Sequence, residues 1–204
     1  MLPVAHVDAR CTAERSSRHR RTIMFIADRT LGVNRWPLVK LQQNSRTEVV
    51  LLSSRFFALT THWANGTVPC PGDDCPLCCT LPARGLLYLA VHSFGRTSIL
   101  ELGSLSAANF EQHAKLLHGG MIPGLKFQLS RKGAKHPIHS EVIGSQSGVQ
   151  EIKLFDLCRH VMSLYKFPCP NPSETLETYE SRCRDIARVR CERLAHVALK
   201  HSGK

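Results

Sequence analysis

The chain has 204 residues, of which 43% are hydrophobic, and a formal net charge of +11 with a pI of about 9.5. This length and hydrophobic content allow a sizeable core, in one domain with extensions or in two small domains. No apolar run approaches the roughly 20 residues that span a bilayer, and the Arg-rich start lacks the apolar segment of a secretory signal. The positive charge favours polyanionic partners, with nucleic acid ahead of an anionic membrane surface.

The first 21 residues end in a basic run, with Arg15, Arg18, Arg20 and Arg21 among serines and a histidine. Such a composition predicts a disordered arm. The arm could lie on the phosphates of a nucleic acid, or be a solvated tail or residues added by an upstream start codon. The sequence favours none of these over the others.

Short apolar runs separated by polar residues follow between positions 22 and 60. Their lengths and their β-branched content favour strands over helices. The runs are Ile23–Ile26, Pro37–Leu41, Thr47–Leu52 and Phe56–Leu59.

The segment from His62 to Cys79 places one histidine and four cysteines in a short stretch rich in glycine and proline. Structural Zn²⁺ takes four His or Cys ligands in a tetrahedron, and a two-residue gap lets two thiolates reach one ion from a tight turn. Cys75 and Cys78 have that gap, and Cys70 and His62 lie just upstream. The pattern predicts a structural zinc knuckle formed by His62, Cys70, Cys75 and Cys78, with Cys79 as an alternative to Cys78.

Three other interpretations of these cysteines stay open. Buried thiols can pack as small apolar groups, although a loop crowded with Pro and Gly buries little. A redox C-x-x-C should follow a strand and open a helix, whereas Pro71, Gly72 and Pro76 break a helix here. A catalytic zinc keeps an open position beside three ligands, but four ligands are present. We therefore expect no catalytic residue and no enzyme.

The nine cysteines of the chain are odd in number and unevenly spread. This is not the even framework of a secreted disulfide domain. It favours a reducing cytoplasm and one metal site.

Two apolar runs at 85–94 and 97–102 flank a break at Gly95 and predict a β-hairpin. Residues 104–118 carry an apolar stripe at helical spacing, start with serines that can cap, and precede a Gly pair. The pattern predicts a helix capped by Ser104 or Ser106.

Strict alternation over 125–131, a basic turn and the run 139–143 predict a further strand pair. Five to seven strands with one intervening helix indicate an α+β protein with a mainly β core, a small β-barrel into which the knuckle is inserted.

The last quarter of the chain is predicted to be helical. One helix covers 152–165, and a second, capped by Asn171 or Ser173, runs to about His201 after a Pro-rich linker. We interpret its arginines as a solvated face with Glu/Arg pairs rather than a nucleic-acid contact. The predicted organisation is a disordered basic arm at 1–21, a zinc-containing barrel domain at 22–148 and a helical extension at 149–204.

The ligand order His, Cys, Cys, Cys, ending in C-x-x-C between strands of a small basic barrel, resembles the zinc-containing single-stranded DNA-binding proteins of T-even-type phages. The resemblance covers about residues 45 to 145, with shorter gaps here. It implies an OB-fold, a structural zinc ion and binding of single-stranded DNA or RNA. That family ends in an acidic tail that recruits partners, whereas residues 182–204 are basic here.

A single-strand binder needs cations along the phosphates and aromatic faces for the bases. The cationic candidates are Arg55, Arg84, Lys126, Arg131, Lys132 and Lys135. The stacking candidates are Phe57, Trp63, Tyr88 and Phe94. Tyr88 and Phe94 suit core positions equally well, and the basic turn at 131–135 could be a solvated hairpin tip.

The alternative function is a zinc-dependent protein-interaction subunit of a replication or transcription assembly. In that case, the C-terminal helix would dock a protein partner. Under either function we expect no membrane partner.

Overall fold

The computed structural model describes residues 35–202 except 40, 42, 134 and 135. The basic arm at 1–21, the run Ile23–Ile26 and Lys135 lie outside these residues. Within them, the chain forms eight strands and three helices. The strands are β1 (Leu38–Val39), β2 (Arg46–Leu51), β3 (Phe57–Trp63), β4 (Thr67–Pro69), β5 (Arg84–Ser93), β6 (Arg96–Gly103), β7 (Leu125–Ser130) and β8 (His139–Ser145). The helices are α1 (Ser104–His118), α2 (Leu154–Leu164) and α3 (Leu176–Ser202).

The sheet has the order β1-β6-β5-β2-β7-β8. The long strand β5 pairs with β6 along its length, with β3 over its first half and with β2 near its end. All these pairs are antiparallel, while β1 runs parallel to β6. β3 also pairs with β4, which places this hairpin at the start of β5.

One face of the sheet packs on α1. Alternate residues of the strands point there, and the buried set is formed by Val49, Leu51, Leu89, Val91, Leu100, Leu102, Phe110, Phe127 and Leu129. The rings of Phe110 in α1 and Phe127 in β7 stack with their centroids 3.9 Å apart. Truncating such a fully buried ring to alanine typically costs about 3–5 kcal/mol, so this contact anchors α1 to the sheet.

The opposite face of β5 and β6 is covered by α2 and α3. Tyr88, Ala90 and Ile99 point to this side and share a buried cluster with side chains of both helices. Arg190 of α3 donates hydrogen bonds to the carbonyl oxygens of Tyr165 and Lys166 after α2, at 2.7 and 2.9 Å. The C-terminal helices and the sheet therefore share one core.

The predicted α+β class with a mainly β core is confirmed, as is the C-terminal helix. Closure into a barrel is not seen in the described part of the chain, because β1 and β8 are the two edges of the sheet path. None of the described helices is both long and apolar enough to cross a membrane.

The predicted helix caps are wrong. Gly103 is the N-cap of α1, with no side-chain hydrogen bond. For α3, Thr175 and Thr178 exchange hydrogen bonds between side chain and backbone N–H, which satisfies two donors of the first turn. Asn171 and Ser173 lie too far upstream to cap that turn.

Candidate metal centre

The β3–β4 hairpin positions the first two ligands. It turns through a three-residue loop, Ala64–Gly66, in which Asn65 and Gly66 have positive φ of 55° and 152°, a conformation that Asn and Gly adopt more readily than other residues. His62 lies near the end of β3. Cys70 follows β4 directly, and its N–H donates to the Thr60 carbonyl oxygen at 2.8 Å. The backbone ladder therefore holds these two ligands side by side.

A tight turn supplies the other two ligands. The N–H of Cys75 donates to the Gly72 carbonyl oxygen, and the N–H of Cys78 donates to the Cys75 carbonyl oxygen, both at 3.1 Å. Leu77, between the cysteines, is only 2% exposed and anchors the turn. Gly72 has a φ of 112°, a conformation that disfavours other residues.

The four ligand atoms form a compact group. All lie within 4.8 Å of one another. His62 Nε2 is 3.4 Å from the sulfur of Cys75 and 3.5 Å from that of Cys78, and the sulfurs of Cys70 and Cys78 are 3.7 Å apart. A tetrahedral zinc site with Zn–S near 2.3 Å and Zn–N near 2.0 Å has edges of about 3.5 Å for S–N and about 3.8 Å for S–S. The spacing and the soft donor set therefore fit a structural metal ion.

The surroundings favour loss of a proton from Cys75. Burial alone would raise its pKa, but the N–H groups of Leu77 and Cys78 donate to its sulfur and hold the pKa of the Cys75 thiol below its usual value. By contrast, burial raises the pKa of the Cys70 thiol to about 12. Since metal ligands must be deprotonated, binding releases protons and the metal affinity rises with pH.

Two details refine the predicted ligand set. Cys79 is exposed and lies outside the group of four, so the geometry selects Cys78. His62 is 1% exposed, and its Nδ1 has no hydrogen-bond partner among the described residues. Only the neighbouring sulfurs therefore orient this ring, through Nε2.

Two of the predicted stacking residues are buried. Phe57 is 7% and Tyr88 0% exposed, and both lie in the cluster under α2 and α3. The hydroxyl of Tyr88 also donates to Glu101 at 3.1 Å. Neither ring offers a face to a base, so the prediction is wrong for both. The reason is that α2 and α3 pack over the strands that carry these residues, a contact that the sequence does not reveal.

The other two aromatic candidates are exposed at hairpin ends. Trp63 is 60% exposed, next to the ligand His62. Thr61 pairs with Arg84 in the ladder, so the exposed Arg84 and Trp63 are diagonal neighbours on one face. Phe94 is 56% exposed at the turn between β5 and β6, at the far end of β5.

The cationic candidates are dispersed. Arg55 is exposed in the connection from β2 to β3, and Lys126 is half-buried in β7. Arg131 and Lys132 follow β7, where Arg131 Nε donates to the His136 carbonyl oxygen at 3.2 Å. Since Arg46 pairs with Ser130, this loop lies by the start of β2, at the opposite end of the sheet from the metal group. The structure therefore gathers the four metal ligands but not the predicted nucleic-acid residues.

The sequence analysis missed Cys191 in α3. This residue is fully buried against Cys75 and Leu77. The sequence feature that could have identified it is a four-residue spacing. Tyr179, Cys183, Ala187 and Cys191 follow at intervals of four along α3, and all of them are buried. Val189, which is out of register with this four-residue spacing, is 44% exposed.

A scan against protein-family models and searches of curated proteins and of solved structures found no match to the chain. The resemblance to the phage proteins therefore rests on the order and type of the four ligands alone.

Proposed function

We propose that the protein is a non-enzymatic, zinc-stabilised protein that binds single-stranded nucleic acid, with DNA as the first ligand to test. The observation that carries the proposal is the position of two loops in the order of strands. One loop, residues 52–83, carries the four metal ligands, and the other, residues 131–138, carries Arg131 and Lys132.

The strand connections support an OB-like core. β2, β5 and β6 follow one another as neighbours, α1 comes next, and β7 returns to pair with β2 before β8. A strand that returns beside the first is the Greek-key connection of the partly open OB barrel. α1 contacts both β6 and β8, and so lies between the two strands that would close such a barrel.

Two loops of an OB-fold contact oligonucleotides, the one after the first strand and the one between the last two. In this arrangement the first is residues 52–83, which carry the metal group and Trp63. The second is residues 131–138, which carry Arg131 and Lys132. Metal binding would fix the first loop and hold Trp63 in place, since its neighbour His62 is a ligand.

Zinc is the metal that we propose. Three thiolates and one imidazole in a closed tetrahedron suit Zn²⁺, and such closed sites are structural rather than catalytic. The positive charge of +11 supplies the long-range attraction to phosphates.

The proposal has a salt-dependent test. If four phosphate contacts form, through Arg55, Arg84, Arg131 and Lys132, affinity for a single strand should fall about 50-fold between 50 and 200 mM salt. Fluorescence anisotropy with labelled single-stranded and duplex oligonucleotides at both salt concentrations measures this. Preference for the single strand with a steep salt dependence is expected. Binding that is flat in salt, or equal for the duplex, would contradict the proposal.

The packing of α2 and α3 favours a second candidate function. These helices cover the sheet face that OB-folds commonly use, and α3 leaves Val189 and Val197 exposed by 44% and 52%. A zinc-dependent subunit that docks a protein partner through α3 would use those side chains. Partner capture that survives nuclease treatment but is lost in a Val189→Asp, Val197→Asp variant would favour this alternative.

A further inference from the structure

The thiol of Cys191 reaches the metal group from a distant part of the chain. Its Sγ lies 3.7 Å from the carbonyl oxygen of Pro69, which precedes the ligand Cys70 in sequence, and its side chain shares a small buried cluster with the ligand Cys75. Cys191 is 0% and Cys75 is 4% exposed. A fourth sulfur is therefore enclosed beside the three cysteine ligands without belonging to the ligand set.

The end of α3 packs on the metal loop. Cys191 lies in a buried cluster with Cys75 and Leu77, and this cluster is covered by partly buried side chains of both elements, Val68, Leu81, Leu194 and Ala195. Earlier residues of α3, such as Tyr179 and Cys183, pack instead on the sheet and α2. The side chains of α3 thus pack in two separate buried clusters, and the second cluster contains residues of the metal loop.

The chemistry gives Cys191 a defined role. Its single S–H proton has one acceptor in the Pro69 carbonyl oxygen, 3.7 Å from Sγ, and the Cys75 sulfur in the same buried cluster is a second candidate acceptor. A metal-bound thiolate carries negative charge, and hydrogen bonds to charged acceptors are the stronger ones. Three thiolates also leave a Zn²⁺ site with an excess negative charge, which a buried donor offsets.

We propose that Cys191 is an outer-sphere residue of the metal centre, whose thiol donates to metal-bound Cys75 and so couples metal binding to docking of the end of α3. By linkage, whatever the docked helix adds to metal affinity, the metal adds to docking. The inference rests on the metal-binding part of the proposed function and is independent of nucleic-acid binding.

The first test compares Cys191→Ala, Cys191→Ser and Cys183→Ala in the full chain. Cys183 is a matched control, since it is a buried cysteine of the same helix whose side chain belongs to the cluster formed with the sheet and α2. Zinc affinity is measured by competition with a chromophoric chelator, and the thiolate-to-cobalt absorption band is recorded with Co²⁺. Loss of an outer-sphere partner typically costs 10- to 100-fold in metal affinity, so we expect about 10-fold or more for Cys191→Ala.

Cys191→Ser keeps a donor and should lose less affinity than Cys191→Ala, while Cys183→Ala should stay within about twofold of the native protein. The cobalt band should shift only in Cys191→Ala. Equal affinities and unshifted bands in Cys191→Ala and Cys183→Ala would overturn the inference while leaving the metal site in place. A native chain that binds no metal would overturn the site as well.

A second measurement needs no variant and covers the case in which Cys191→Ala does not fold. Hydrogen exchange of the native protein is followed with and without a chelator. Removing the metal should speed exchange at residues 191–197 more than at 176–187. Equal acceleration in both halves of α3, or none, would overturn the coupling.

Discussion

The turn between β5 and β6 provides a prediction that links stability to binding. Phe94 has a φ of 51° and Gly95 a φ of 76°, and Ser93 pairs with Arg96 across this two-residue loop. Such a turn strongly prefers Asn-Gly, because a bulky residue in the left-handed region costs about 1–2 kcal/mol. The chain carries a strained phenylalanine there, with 56% of its surface exposed.

Phe94→Asn should therefore stabilise the fold while it weakens binding. Relief of most of the strain adds about 1 kcal/mol, or about 2–4 °C in Tm for a protein of this size. Loss of one stacked base costs about 1–3 kcal/mol, or about 5- to 150-fold in affinity. Phe94→Tyr, which keeps a ring, should bind as the native protein does.

Thermal unfolding and anisotropy with a labelled single strand measure the two effects on the same samples. Leu116→Gln is the control, since Leu116 is 73% exposed on α1 and lies in none of the hairpins. It should leave binding unchanged. A Phe94→Asn protein that binds as tightly as the native one would refute a stacking role for this ring, whatever its Tm.

Three further predictions follow from the same structure. Burial, together with Arg159, lowers the pKa of His160 to about 4. As the pH falls below about 6.5, this imidazole takes up a proton in the unfolded chain but stays neutral in the folded one. The free energy of unfolding should therefore fall by roughly 3 kcal/mol from pH 7 to pH 4. Urea unfolding should show this loss to be smaller in His160→Phe, and parallel curves would contradict it. Cys78→Ser should lose stoichiometric zinc and Cys79→Ser should keep it, as measured by elemental analysis; the reverse would reassign the fourth ligand. Lys132→Gln should reduce the slope of log affinity against log salt by about 0.7, and an unchanged slope would remove Lys132 from the interface.

Local signals predicted the elements and the metal ligands. The apolar stripe and the Gly pair marked α1 as 104–118, and the structure has the same bounds, with Gly119 at φ 72° closing the helix. The ligand group could likewise be predicted from spacing within one short segment, since the hairpin and the C-x-x-C turn carry all four ligands.

Contacts between distant parts of the chain could not be predicted in this way. The continuous apolar run along β5 indicates that both of its faces are buried but does not say what covers each. The ring of Tyr88 is covered by α2 and α3, which no local pattern shows. Cys191 is separated from Pro69 by 122 positions, and no local pattern connects them. The open edges of the sheet could not be predicted for the same reason. Closure into a barrel depends on how α1 packs between β6 and β8, which are far apart in the sequence.

The most direct test of the account measures the affinity for a single-stranded oligonucleotide in zinc-loaded, chelator-treated and zinc-restored protein at one low salt concentration. If the metal orders the loop that carries Trp63 and leads into Arg84 at the start of β5, affinity should drop when zinc is removed and return when it is restored. Single-strand affinity that is the same with and without zinc would contradict the claim that the metal centre supports nucleic-acid binding.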